Sequence, residues 1–175
     1  MAADPTRRVV IAVAALLPLA AVSGCGGVDV LGHPPSPAPD VGLLRAAIAA
    51  EELMIARYDA VLRGGGSLTA ALDPLLAEHR AHLTQLRSRL IVPAGSASPS
   101  PSVRPQGTPS PPAGPAAAVA YLRDAEQGAA AGLLGWLPHA PASLAQLFAS
   151  ISASEATHVP VLDAAAGNLT GQAGG

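Results

Sequence analysis

Glutamate is scarce in this chain, five in 175 residues, and three of the five fall on seams that are otherwise apolar. Helical faces repeat at steps of three and four residues, and four segments carry such faces. The first gives Leu44, Ile48, Glu51, Ile55, Tyr58 and Leu62, and the second Leu72, Leu75, His79, His82, Leu86 and Leu90. The third gives Val119, Leu122, Glu126, Ala129, Leu133 and Leu137, and the fourth Leu144, Phe148, Ile151, Glu155, His158 and Leu162. Each seam is interrupted near its middle by Glu or His. A buried carboxylate without a partner loses several kcal/mol of solvation or shifts its pKa upward. The four polar points therefore have to meet and be compensated together. An all-α, antiparallel four-helix bundle brings them to one axis at mid-height.

The boundaries follow from local signals. Asp40 can cap the first helix, which runs to about Arg63 and stops at Gly64-Gly65-Gly66. The second starts near Ser67, or at Asp73-Pro74 as cap and first-turn proline, and runs to about Ile91. The third spans about Ala116 to Leu137, and Pro138-His139-Ala140-Pro141 makes a turn. The fourth spans about Ser143 to Ala166, with a kink or an end near Pro160, and residues 168–175 read as a flexible tail. No segment shows strand alternation bounded by hairpin turns. Pro93 to Pro115 holds eight prolines and several serines, so it reads as a disordered Pro/Ser-rich connection between helices two and three. A helix of about 22 residues is about 33 Å long. The connection is long enough to return along the bundle and start the third helix parallel to the second, or to allow a simple up-and-down order.

Residues 1–24 read as a targeting segment. Arg7 and Arg8 precede an apolar run from Val9 to Val22, fourteen residues broken only by Pro18. That is shorter than the roughly 18–20 residues that span a bilayer and fits a signal-peptide core. Val22-Ser23-Gly24-Cys25 follows, and it resembles the bacterial lipobox, whose cysteine is lipidated and becomes the new N-terminus. Thr6-Arg7-Arg8 also weakly resembles a twin-arginine signal. The implied protein is anchored to the outer face of a bacterial cytoplasmic membrane through lipid on Cys25. Residues 26–39, Gly/Pro-rich and closing in Pro34-Pro35-Ser36-Pro37-Ala38-Pro39, would serve as its tether.

Several function classes are excluded. The net charge is −2, so no broad basic surface exists for nucleic acid. One Cys, taken by lipid, rules out a disulfide framework, a Cys-rich zinc site and thiol chemistry. All ten basic residues are Arg, and with the richness in Ala, Gly and Pro this reflects a GC-rich codon supply more than function.

What remains is the polar waist. A bound cation could compensate its groups together, and carboxylate oxygen with imidazole nitrogen suits iron, manganese or zinc. Glu155-x-x-His158 puts both side chains on adjacent turns of one face. The candidate ligands are Glu51, His79, His82, Glu126, Glu155 and His158. The order Glu, His-containing pair, Glu, Glu-x-x-His resembles the ferritin-like di-iron carboxylate bundles, in which each half contributes a Glu and a Glu-x-x-His. It also looks like a group of ferritin-like lipoproteins of high-GC bacteria, whose last helix carries a stretch similar to Ser154-Glu155-Ala156-Thr157-His158. The resemblance spans about Asp40 to Ala166. It implies a di-metal centre of iron or manganese, with zinc as a further option, and oxidation of metal or removal of peroxide.

The second helix departs from that pattern. Glu78-x-x-His would need His at 81, where Ala81 stands. Either His79 pairs with His82 or Glu78 does. The first choice replaces a bridging carboxylate with imidazole. A metal-free reading pairs the carboxylates with His or with Arg45, Arg57, Arg80 or Arg123, leaving a helical module that binds an envelope protein. Tyr58 reads as core with its hydroxyl satisfied, or as a hydrogen-bond donor to a ligand. Trp136 and Phe148 read as core. His33 and His139 read as solvated loop residues, and Glu52 as part of a solvated flank.

Overall fold

The computed structural model describes residues 39–64, 66–91 and 109–172. The targeting segment, Cys25, the tether up to Ala38 and most of the Pro/Ser-rich connection lie outside the described residues. Four helices account for most of the rest: α1 (Pro39–Leu62), α2 (Thr69–Arg89), α3 (Pro115–Trp136) and α4 (Ala142–Gln172). A 3-10 turn, Leu137–His139, joins the last two. No strand occurs among the described residues. None of these helices is long and apolar enough to cross a membrane.

The ends are set by backbone chemistry. The Asp40 carboxylate accepts a hydrogen bond from the Val41 N–H at 3.0 Å, and its charge in the first turn suits the positive end of the helix dipole. Gly114 sits at φ +92°, a conformation that disfavours any other residue, and it hands directly to Pro115 at the first helical position. α2 begins at Thr69, between the two starts the sequence suggests. Leu68 takes the cap position with no side-chain cap; it is buried, and that burial fixes the turn instead.

The fourth helix differs from its expected length. It continues through Pro160 to Gln172, six residues past Ala166, so residues 168–172 are helical rather than a tail. Pro160 removes one backbone hydrogen bond, but Leu162 and Ala165 beyond it are buried and hold the second half on the bundle.

Two apolar clusters make the core. One gathers Met54, Tyr58 and Val61 from late α1, Leu72 and Leu75 from early α2, Val119 and Leu122 from early α3, and Leu162 from the second half of α4. The other gathers Leu44 and Ala47 from early α1, Leu86 from late α2, Leu133 from late α3, and Leu144, Phe148 and Ile151 from early α4. The starts of α2 and α3 therefore share one end of the molecule. Between the clusters lies a layer of buried polar side chains.

Candidate metal centre

That layer consists of the six residues the sequence marks out. Glu51 comes from α1, His79 and His82 from α2, Glu126 from α3, and Glu155 and His158 from α4; none is more than 8 % exposed. Each is buried because helical phase puts it on the same stripe as the buried apolar residues of its helix, such as Ala47 and Met54 for Glu51 and Ile151 and Leu162 for the Glu155–His158 pair.

His79 stands at the centre. Its Nδ1 lies 2.9 Å from Glu51 Oε2 and its Nε2 lies 2.9 Å from Glu126 Oε1. Two triads of donor atoms result, Glu51–His79–His82 and His79–Glu126–His158, and His79 belongs to both. His82 Nδ1 is 3.3 Å from Glu51 Oε1, and His158 Nδ1 is 3.2 Å from Glu126 Oε1. Such spacings match neighbouring ligands held about 2.1 Å from one ion. Tyr58, fully buried, donates its hydroxyl to Glu126 Oε1.

Glu78 sits at the rim with its side chain half exposed, yet its Oε2 accepts from His158 Nε2 at 2.9 Å and from Ser154 Oγ at 2.9 Å. The structure thus places His79 and His82 inside, and Glu78 behind His158. With Nε2–H donated outward, His158 Nδ1 keeps its lone pair toward Glu126. This is how metal-binding histidines are usually oriented, with the second nitrogen on a carboxylate. The link was invisible in the sequence because Glu78 lies off the seam and its partners are 76 and 80 residues away.

The electrostatics show what the layer lacks. A neutral imidazole has one N–H and cannot donate to two carboxylates. Burial alone would lower the His79 pKa, but its bonds to Glu126 and Glu51 override this and raise it to about 9. Burial opposes ionisation of Glu126 too; the imidazoles of His158 and His79 beside it override this and bring the carboxyl down to about 2. Glu51 is lowered in the same way by His79 and His82. Glu155 has no such help. Burial, then the charges of Glu51 and Glu126, push it up to about 8. Burial and the Glu126 charge also drive the Tyr58 phenol far above its ordinary value.

Five buried side-chain atoms of the layer have no hydrogen-bond partner: Glu51 Oε1, His82 Nδ1, Glu126 Oε2, Glu155 Oε2 and His158 Nδ1. Orphans of this kind cost about 1–3 kcal/mol each, in total as much as the net stability of a typical domain, about 5–15 kcal/mol. The three carboxylate oxygens carry lone pairs a cation could use, and each Nδ1 offers one when its ring is neutral with the proton on Nε2. Among the described residues no arginine pairs with the layer's carboxylates. Arg80 pairs with Asp59, Arg87 with Glu52, and Arg123 with Asp124 and Asp163, all on the surface. The arginine-compensated network is therefore not what forms. Trp136, expected in the core, is only half-buried and packs its ring 5.8 Å from that of Phe148. His139 is exposed, as its turn suggests.

Comparison with protein-family models, with curated proteins and with solved structures returned no match.

Proposed function

We propose that this chain holds transition-metal ions in its polar waist, through Glu51, His79, His82, Glu126, Glu155 and His158. The observation that carries the reading is the pair of triads meeting at His79, with five unpartnered donor atoms around them. The mixed oxygen and nitrogen donors suit iron, manganese or zinc. The shared ends of the two clusters support two antiparallel hairpins, α1–α2 and α3–α4, with α2 and α3 parallel: a ferritin-like order. A bound redox-active pair would supply oxidation of metal or reduction of peroxide. The chain's own groups would position it: Tyr58 and His79 on Glu126, Glu78 on His158. Anchoring at the outer face of a bacterial membrane through Cys25 is part of the proposal and rests on residues 1–25 of the sequence.

The test is metal content. The untagged protein is loaded in turn with iron, manganese, zinc and copper, dialysed, and analysed by elemental mass spectrometry. One or two equivalents are expected, nearly all lost in His79→Ala, which is common to both triads, and about half lost in His158→Ala, which belongs to one. The bridge from Glu51 through His79 to Glu126 favours a second reading, a metal-free network in a module that binds an envelope partner. Retention of no metal under any loading condition would overturn the metal reading and leave that one.

A further inference from the structure

Each ring nitrogen of His79 faces a donor set of its own. The ring is fully buried, with Nδ1 2.9 Å from Glu51 Oε2 and Nε2 2.9 Å from Glu126 Oε1. His82 Nδ1 stands 3.3 Å from Glu51, and His158 Nδ1 3.2 Å from Glu126. The rings of His82 and His158 are both nearly perpendicular to that of His79, with centroids 5.9 and 5.1 Å from its own. The unpartnered atoms divide in the same way. Glu51 Oε1 and His82 Nδ1 belong to the group on the Nδ1 side, and Glu126 Oε2 and His158 Nδ1 to the group on the Nε2 side. A core histidine held by hydrogen bonds accounts for the two contacts of His79 but leaves both pairs of orphans.

We propose that His79 is a bridging imidazolate between two divalent ions, one held by Glu51, His79 Nδ1 and His82, the other by Glu126, His79 Nε2 and His158. The inference rests on the metal reading and adds the number of ions, the bridge and the metal class. As the ions bind, the N–H protons of the ring leave to solvent. Glu51, Glu126 and Glu155 with the deprotonated ring then carry four negative charges, which two divalent ions balance. One ion alone would leave one orphan pair unmet and the Glu155 proton in place. Bonds of about 2.0–2.1 Å to the two nitrogens of one ring put the ions about 6 Å apart. Two ions bridged by a carboxylate lie about 3.5–4 Å apart. Donor chemistry sets the class. Each group offers two imidazole nitrogens and one carboxylate. Holding a ring stripped of its protons calls for the ions that bind nitrogen most strongly, copper(II) and zinc rather than manganese or iron(II).

Copper(II) is the probe, because its unpaired electron reports on a neighbouring ion. The untagged full chain is loaded with copper(II) and dialysed. One sample is then analysed by elemental mass spectrometry, electron paramagnetic resonance and X-ray absorption, whose edge verifies that the metal is still copper(II). Two equivalents are expected, with most of the low-temperature resonance signal lost to coupling through the ring and no copper neighbour within about 4 Å. His82→Ala takes a ligand from one ion only. It should hold one copper with its full signal, since the remaining ion has no partner; His158→Ala serves if that variant misfolds. Two equivalents with a copper neighbour at about 3.5–4 Å would mean a carboxylate bridge. Two with undiminished signal would mean separate sites, and a single equivalent a ring that serves one ion. Each of these overturns the bridge and leaves the metal reading standing. Retention of iron, manganese or zinc but not copper overturns the metal class. Retention of none of the four overturns the metal reading itself, and the bridge with it.

Discussion

At the scale of the residue, His79 decides the character of the layer. The two nitrogens of one ring serve two donor sets, where the ferritin-like pattern would have a carboxylate. His79→Ala takes a donor from both triads, whereas His82→Ala takes one from a single triad. Metal retention should fall below about a tenth in the first variant and to about half in the second, read by elemental mass spectrometry of equal loadings. Equal losses in both would mean that the triads do not act as separate sites. Glu78 gives a sharper test, since it orients a ligand without lying in the layer. Glu78→Ala should keep the fold, because the side chain is half exposed. It should still lower metal affinity by about 10–100-fold, the usual effect of losing a carboxylate behind a ligating histidine. Competition with a coloured chelator measures it. The six layer residues were legible because each breaks an apolar seam. A hydrogen bond from Tyr58 to a ligand and a role for Glu78 are among the readings of the sequence, but that their partners are Glu126 and His158 was not legible, since both depend on which helices become neighbours.

At the scale of the element, the number and type of helices follow from the seams, while the fourth, expected to reach about Ala166 with a kink or an end near Pro160, runs on to Gln172. Pro160 looks like a stop, but a proline removes only one or two backbone hydrogen bonds while the burial of Leu162 and Ala165 acts on the whole following turn. Tertiary packing outweighs the local signal. Pro160 is exposed, so its ring packs on nothing that a substitution would lose. Pro160→Ala restores an N–H to the ladder and relieves the clash with the preceding turn. The unfolded chain gains up to about 1 kcal/mol of entropy in exchange. The balance should be a gain of about 1–2 kcal/mol in stability, measured by urea denaturation at constant m. An unchanged or lower midpoint would show that the helix is shaped around the proline, with His158 two residues upstream held by that shape.

At the scale of the whole molecule, two apolar ends enclose a charged waist, and the order of the helices could not be read because the connection is long enough for either topology. In the structure the starts of α2 and α3 share one end, and Glu51, His79, Glu126 and Glu155 are buried together between the two apolar clusters. The consequence is a pH dependence that runs against the common pattern. Without metal, Glu155 keeps its proton in the folded state up to about pH 8, while an ordinary glutamate loses it near 4.5. Between those values the folded state binds more protons than the unfolded chain, so stability falls as pH rises. His79 acts in the same direction: raised from 6.5 to about 9, it stabilises fully below 6.5 and loses that contribution as pH passes 9. Glu126, lowered from 4.5 to about 2, stabilises above 4.5 and loses its contribution as pH falls through 2. The metal-free protein should therefore be most stable near pH 5 and weaken steadily toward pH 9, in thermal melts at constant ionic strength. Metal reverses the slope, because ligation displaces the protons on His79 and Glu155 and is opposed by acid. The increase in melting temperature on loading should be larger at pH 8 than at pH 5, with on the order of one or two protons released per molecule in a weakly buffered titration. A metal-free melting profile that is flat from pH 5 to 9 would mean that the waist titrates as it does in the unfolded chain, and that its carboxylates and imidazoles are not buried together.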